Sequence, residues 1–120
     1  QQLMCAHSEE GNVDCLGIFD EKVKRFQPAS GQEFVTKVPH MGWNNIYNLN
    51  SAILTPELEN QFVYFVHSFY VEVGEHTAAT CDYINPFSAA LHKDNFYATQ
   101  FHPEKSQKVG ARILENFLKI

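Results

Sequence analysis

The chain has 120 residues, enough for one domain with one core but not for two. A hydrophobic content of 44%, with ten Phe and five Tyr, marks globular rather than disordered material. Nine basic against fourteen acidic residues leave a net charge of −5, which argues against nonspecific nucleic-acid binding; no apolar run is long enough to span a bilayer.

Residues 2–7 have helical composition, and Gly11 is a natural helix stop. Leu3, Met4 and Ala6 read as the inside of a helix already under way, without a charged leader, so the expectation is a cytoplasmic chain that continues a longer domain. Residues 15–19 form a short apolar run, and residues 22–26 alternate as a half-buried strand does. Residues 27–31 are loop by composition, and residues 34–38 read as another strand. Pro39 and Gly42 bracket a predicted turn, and residues 48–51 are loop. Thr55 followed by Pro56 reads as a capped helix start.

Residues 62–66 are nearly continuous apolar sequence, read as a strand buried on both faces. His67 and Ser68 interrupt it, and residues 69–73 continue as a strand up to Gly74. Residues 77–83, 88–92 and 96–100 are further strands; Asn85-Pro86 and Lys93-Asp94-Asn95 separate them. Ser106 is placed to cap a closing helix whose apolar stripe is Val109, Ile113, Leu114, Phe117 and Leu118. Gly110 inside that helix predicts close approach to a sheet, since glycine there costs about 1 kcal/mol in helix propensity. The elements describe an α/β or α+β chain rich in antiparallel hairpins.

The chemistry concentrates in Gln100-Phe101-His102-Pro103-Glu104-Lys105-Ser106. Proline disfavours helical backbone for the residue before it, so His102 should be extended. In extended chain, residues two apart point to the same side. Glu104 can then reach one ring nitrogen of His102, fix its tautomer and leave the other nitrogen for proton transfer. That is the base-and-orienter half of a nucleophilic triad. The plain alternative is a surface turn with a solvated histidine. Cys5, Cys15 and Cys81 lack metal-ligand spacing and a glycine-flanked elbow; they read as reduced thiols, not as nucleophiles. His7, His76 and His92 have no metal spacing either.

With Pro39-His40-Met41-Gly42-Trp43-Asn44 and Tyr64-Phe65-Val66-His67-Ser68-Phe69-Tyr70 added, the pattern resembles the class I (triad) glutamine amidotransferases. Among them it resembles the glutaminase subunits of imidazole glycerol phosphate synthase, over the whole chain and in family order. The resemblance implies the C-terminal part of a flavodoxin-like three-layer α/β fold, with antiparallel strands in the middle and a closing helix. Residues 1–120 would be a partial amidotransferase domain, without the front strands. The family's nucleophilic cysteine would lie four residues before Gln2, outside this sequence. The implied activity is hydrolysis of glutamine to glutamate and ammonia for a (β/α)8 cyclase subunit in histidine biosynthesis. No cofactor is implied.

By the same resemblance, His102 and Glu104 are catalytic, and Gln2, Glu10, His67 and Ser68 line the glutamine pocket. Met41, Trp43, Asn44 and Tyr64 would face the cyclase, with His40 an interface or pocket-wall residue. Each has a structural alternative: a solvated helix end for Glu10, a satisfied core histidine for His67, a core tryptophan for Trp43. The family often has Tyr where this chain has Phe69, so no hydroxyl acts there. A binding module that lost the chemistry, or another class I amidotransferase, are the competing readings. Without the front strands, apolar runs such as residues 62–66 would face water or another chain, which predicts self-association of the fragment.

Overall fold

The computed structural model describes residues 1–28 and 37–120. Residues 34–36 of the strand read at residues 34–38, and residues 29–31 of the loop read at residues 27–31, lie outside the described residues; Lys37 and Val38 are in no strand. The described chain forms three sheets and one α-helix. The first sheet has the order β2 (Val13–Asp14), β1 (His7–Ser8), β3 (Lys22–Arg25), β6 (Phe69–Val71), with β1 and β3 parallel. The second is a ribbon of β4 (His40–Asn45) and β5 (Phe62–His67). The third joins β7 (Thr77–Tyr83), β8 (Asn85–Lys93) and β9 (Phe96–Thr99) as antiparallel neighbours. Helix α1 (Gln107–Leu118) closes the chain. The mixed α/β architecture with central hairpins and a terminal helix is the one expected from the sequence.

Three local expectations fail, each for a tertiary reason. Residues 2–7 form a short 3-10 turn, Gln2–Met4, followed by β1, because Ala6 and His7 are recruited by β3. Residues 39–45 are not a turn. Gly42 sits inside β4 with φ 129°, opposite Phe65, so the glycine serves a strand geometry that side chains resist. Residues 62–66 are not buried on both faces. Val63, Phe65 and His67 point inward while Phe62 and Val66 are exposed, because β5 has the core on one side only. One strand limit also shifts: β8 begins at Asn85, where the sequence pattern places a break.

The larger core cluster joins Phe26, Phe65, Phe87, Phe101, Ile46 and Ile113. Phe65 packs edge-on against Phe87 and Phe101 with centroids 5.6 and 5.9 Å apart. Each such ring contributes about 2–3 kcal/mol through burial. Helix α1 enters this core with Ile113 and Val109, while Leu118 is 83% exposed. The predicted stripe therefore holds at its N-terminal half only. Buried Asn116 replaces its far end, donating to Ile53 O at 3.1 Å and Thr55 Oγ1 at 3.2 Å. The Thr55-Pro56 signal starts a single 3-10 turn, Pro56–Leu58, rather than a long helix.

Gly110 does mark a close approach, but to a turn and not to a sheet. A Cβ there would lie 1.8 Å from the Pro103 carbonyl oxygen and 3.0 Å from Ser106 Cβ. The helix thus presses directly on the turn Pro103–Lys105 that carries His102 at its edge.

Candidate active site

His102 has φ −97° and ψ 99°, the extended backbone that Pro103 demands. Its Nδ1 lies 2.8 Å from Glu104 Oε1. A carboxylate can only accept, so Nδ1 carries the proton, and in the neutral ring Nε2 is the unprotonated nitrogen. The Glu104 carboxyl is held below the usual carboxylate range, first by its own backbone N–H and then by His102.

The rest of the chain grips this turn through main-chain groups. His102 N–H donates to Tyr64 O at 3.0 Å, which docks the turn on the free edge of β5. Ser106 stands at the start of α1, yet its side chain makes no capping bond to the helix. Its buried Oγ instead donates to His102 O at 2.6 Å and accepts Tyr64 N–H at 3.0 Å. Sequence reasoning read Ser106 only as a cap, since its true partners are set by β5. Ser106→Ala leaves the Tyr64 N–H without its partner and takes one of two donors from His102 O, which keeps Lys105 N–H. We expect a loss of about 2 kcal/mol, measured as a shift of the urea midpoint.

His102, Glu104, Gln2, Glu10, His67 and Ser68 all line one open cleft of about 660 Å³. Six positions spread from residue 2 to residue 104 are gathered there by the meeting of β5, β9 and the Gln2–Met4 turn. Gln2 is anchored: its amide nitrogen donates to Phe69 O at 2.9 Å and to Gln100 Oε1 at 2.8 Å. That leaves the side-chain oxygen Oε1 of Gln2 as the end able to meet a ligand. Gln100 was not singled out in the sequence, because its role depends on a partner 98 positions away. Glu10 is exposed at the rim, beside Gly11 with φ 72°, and its backbone N–H donates to Ser8 Oγ at 3.1 Å.

His67 borders the cleft, but both its ring nitrogens are engaged by protein. Nδ1 is 2.8 Å from Phe69 O and Nε2 is 3.0 Å from His40 Nδ1. Burial pushes His40 and His67 down to about 4 from an ordinary 6.5; each neighbouring imidazole adds a smaller lowering, His67 for His40 and His102 for His67. In the unfolded chain both rings take up protons near 6.5. Their contribution to stability is therefore complete above pH 6.5 and is lost as pH falls from 6.5 toward 4. The expected result is a urea midpoint that declines as pH falls across that window.

The four residues expected at a partner surface divide. Met41 and Trp43 are 63% and 46% exposed, and Trp43 meets Tyr64 edge-on at 5.9 Å. With Phe62 and Val66 they make an apolar outer face on the β4–β5 ribbon. Trp43 is thus no core tryptophan. Asn44 belongs to the opposite, inward side of β4 and donates to Asp82 O at 3.0 Å.

Cys5 and Cys81 are buried, and burial pushes their thiols up to about 11 and about 12. Neither borders the His102 cleft. Among the described residues no group of three or more His, Cys, Asp or Glu is placed to hold a metal, and no helix is long and apolar enough to cross a membrane.

An imidazole oriented by a carboxylate thus borders an open cleft on a mixed α/β scaffold. The chain belongs to the class I glutamine amidotransferases: the family model "Glutamine amidotransferase class-I" matches residues 2–120. It is 66% identical over 119 residues to the imidazole glycerol phosphate synthase subunit HisH of Bacteroides fragilis, and equally to that of Bacteroides thetaiotaomicron. Those alignments cover 99% of this chain and 59% of each relative. The same-named subunit of Escherichia coli K12 is 46% identical over 121 residues, with the same coverage. The chain thus spans 59% of the length of these relatives.

Proposed function

We propose that this chain is the C-terminal part of a glutaminase subunit of imidazole glycerol phosphate synthase, releasing ammonia from glutamine for a (β/α)8 cyclase in histidine biosynthesis. The observation that carries the reading is the 2.8 Å His102–Glu104 pair, set on the same cleft as Gln2, Glu10, His67 and Ser68. The names of the relatives at 66% and 46% identity support it.

The nucleophile in this reading is a cysteine encoded upstream of Gln1. Its thiolate attacks the side-chain amide carbon of glutamine, and backbone N–H groups hold the oxyanion. The C–N bond breaks as His102, protonated in taking the thiol proton, returns a proton through Nε2 to the departing ammonia. Glu104 stabilises the imidazolium at Nδ1. Water, deprotonated by Nε2, then cleaves the thioester and yields glutamate. Glu10 at the rim supplies a carboxylate for the α-ammonium of glutamine. His67 shapes the wall rather than binding through a ring nitrogen.

Met41, Trp43 and Tyr64 present the face offered to the cyclase, with aromatic groups of the kind that anchor interfaces. Asn44 supports that face from behind. The fragment alone is inactive in this reading. The test is glutamate release by three preparations: this chain alone, the chain extended upstream to the full subunit, and the full subunit with its cyclase. Turnover is expected only where the upstream cysteine is present. Turnover by the chain alone would overturn the assignment of the nucleophile.

A further inference from the structure

Asn44, His40 and His67 form a chain of hydrogen bonds that runs through the β4–β5 ribbon to a carbonyl on the cleft. His40 and His67 are register partners across the two strands. Their residues are only 4% and 7% exposed. The Phe69 carbonyl can only accept, so His67 Nδ1, 2.8 Å away, carries a proton. In the neutral ring His67 Nε2 is then an acceptor, and His40 Nδ1 at 3.0 Å must donate to it. His40 Nε2 is in turn an acceptor and faces the Asn44 amide nitrogen at 3.4 Å. That nitrogen also donates to Asp82 O, which orients the amide independently. Every proton in the series is assigned by its neighbours, and all donation runs one way, from Asn44 to Phe69.

The His40 ring has no freedom to turn over. It is stacked on Tyr83 at 4.0 Å and on Phe65 at 4.9 Å, with Phe87 edge-on at 6.0 Å. At the far end, Phe69 O receives two donors: His67 Nδ1–H and the Gln2 amide that also holds Gln100. His67, Phe69, Gln2 and Gln100 all border the cleft, while His40 does not.

We propose that His40 is a positioning residue for the glutamine cleft: its Nδ1–H holds His67 as the Nδ1–H tautomer, and so fixes the Phe69 carbonyl and the Gln2 side chain that frame the bound substrate. The proposal rests on the reading of the cleft as a glutaminase site. Without a donor from His40, the His67 Nε2 is a buried acceptor with no partner. The ring is then drawn toward any other donor that can reach Nε2, which pulls Nδ1–H off Phe69 O and loosens Gln2.

The test uses the full subunit that carries this chain, with its cyclase, and compares His40→Leu with His40→Gln. Leucine keeps apolar bulk between Phe65 and Tyr83 but has no donor; glutamine has both an N–H for His67 and an oxygen for Asn44. His40→Leu is expected to raise the KM for glutamine about tenfold with kcat within about twofold, and His40→Gln to restore most of the loss. Imidazole 15N shifts of the wild-type subunit should show His67 protonated at Nδ1 and bare at Nε2. An unchanged KM in a folded His40→Leu variant, or a wild-type His67 protonated at Nε2, overturns the proposal. The shift measurement stands even if His40→Leu does not fold. A wild-type subunit with the stated tautomer but no glutamine turnover sinks the glutaminase reading instead.

Discussion

Replacing His102 with alanine should lower the glutaminase kcat of the full subunit by about 10²–10⁴-fold, the usual contribution of a placed general acid–base group. The loss is chemical rather than structural. What holds the turn is main chain: His102 N–H on Tyr64 O, and His102 O under Ser106 Oγ and Lys105 N–H. Alanine keeps all of these contacts. The side chain it deletes is more than a third exposed and bonds only to Glu104 among the described residues. Stability should therefore stay within about 0.5 kcal/mol of wild type, as surface substitutions do. Glutamine KM should also stay close, since no ground-state contact to substrate is assigned to the ring. A steady-state assay of glutamate release, read beside a urea titration, separates the two effects. Turnover within about tenfold of wild type would remove His102 from the mechanism.

Gly110→Ala is the second large effect, and its sign is the informative part. In an isolated helix alanine is better than glycine by about 1 kcal/mol. Here the added methyl would fall 1.8 Å from Pro103 O and 2.7 Å from Pro103 C, and the obstacle is backbone that cannot rotate away. Either the start of α1 or the turn Pro103–Lys105 must retreat. Overpacking of this kind costs about 1–3 kcal/mol, so the contact outweighs the propensity gain and the variant is destabilised. The displaced turn is the one that holds His102 against Glu104. Activity should therefore drop together with the urea midpoint, unlike in His102→Ala, where only activity drops. A Gly110→Ala protein as stable as wild type would mean that the helix does not press on the turn.

The pairing of His102 with Glu104 was legible because it is local: a proline sets the preceding residue extended, and two-residue spacing does the rest. Strands β7 and β9 were legible for a similar reason, with turn residues at their ends. The ribbon was misread at both strands. Gly42 has the composition of a turn, yet it lies opposite Phe65 inside a strand, and residues 62–66 are continuously apolar, yet their outer face is open. Residues 2–7 have helical composition, yet pairing with β3 outweighed it. Gly110 announced a close contact, but nothing in its neighbours could say that the contact was Pro103.

The amino-acid sequence alone determined the pairing of His102 with Glu104 and the family, because both reside in short runs whose geometry the backbone imposes within a few residues. The tertiary structure alone decided how that pair is held and what surrounds it. Ser106 reaches Tyr64 across 42 positions, His40 meets His67 across 27, and Gln2 finds Phe69 across 67. Such partners share no local periodicity and no common turn. They are chosen by strand register and by the need of every buried polar group for a partner, and both of those exist only once the chain has closed on itself.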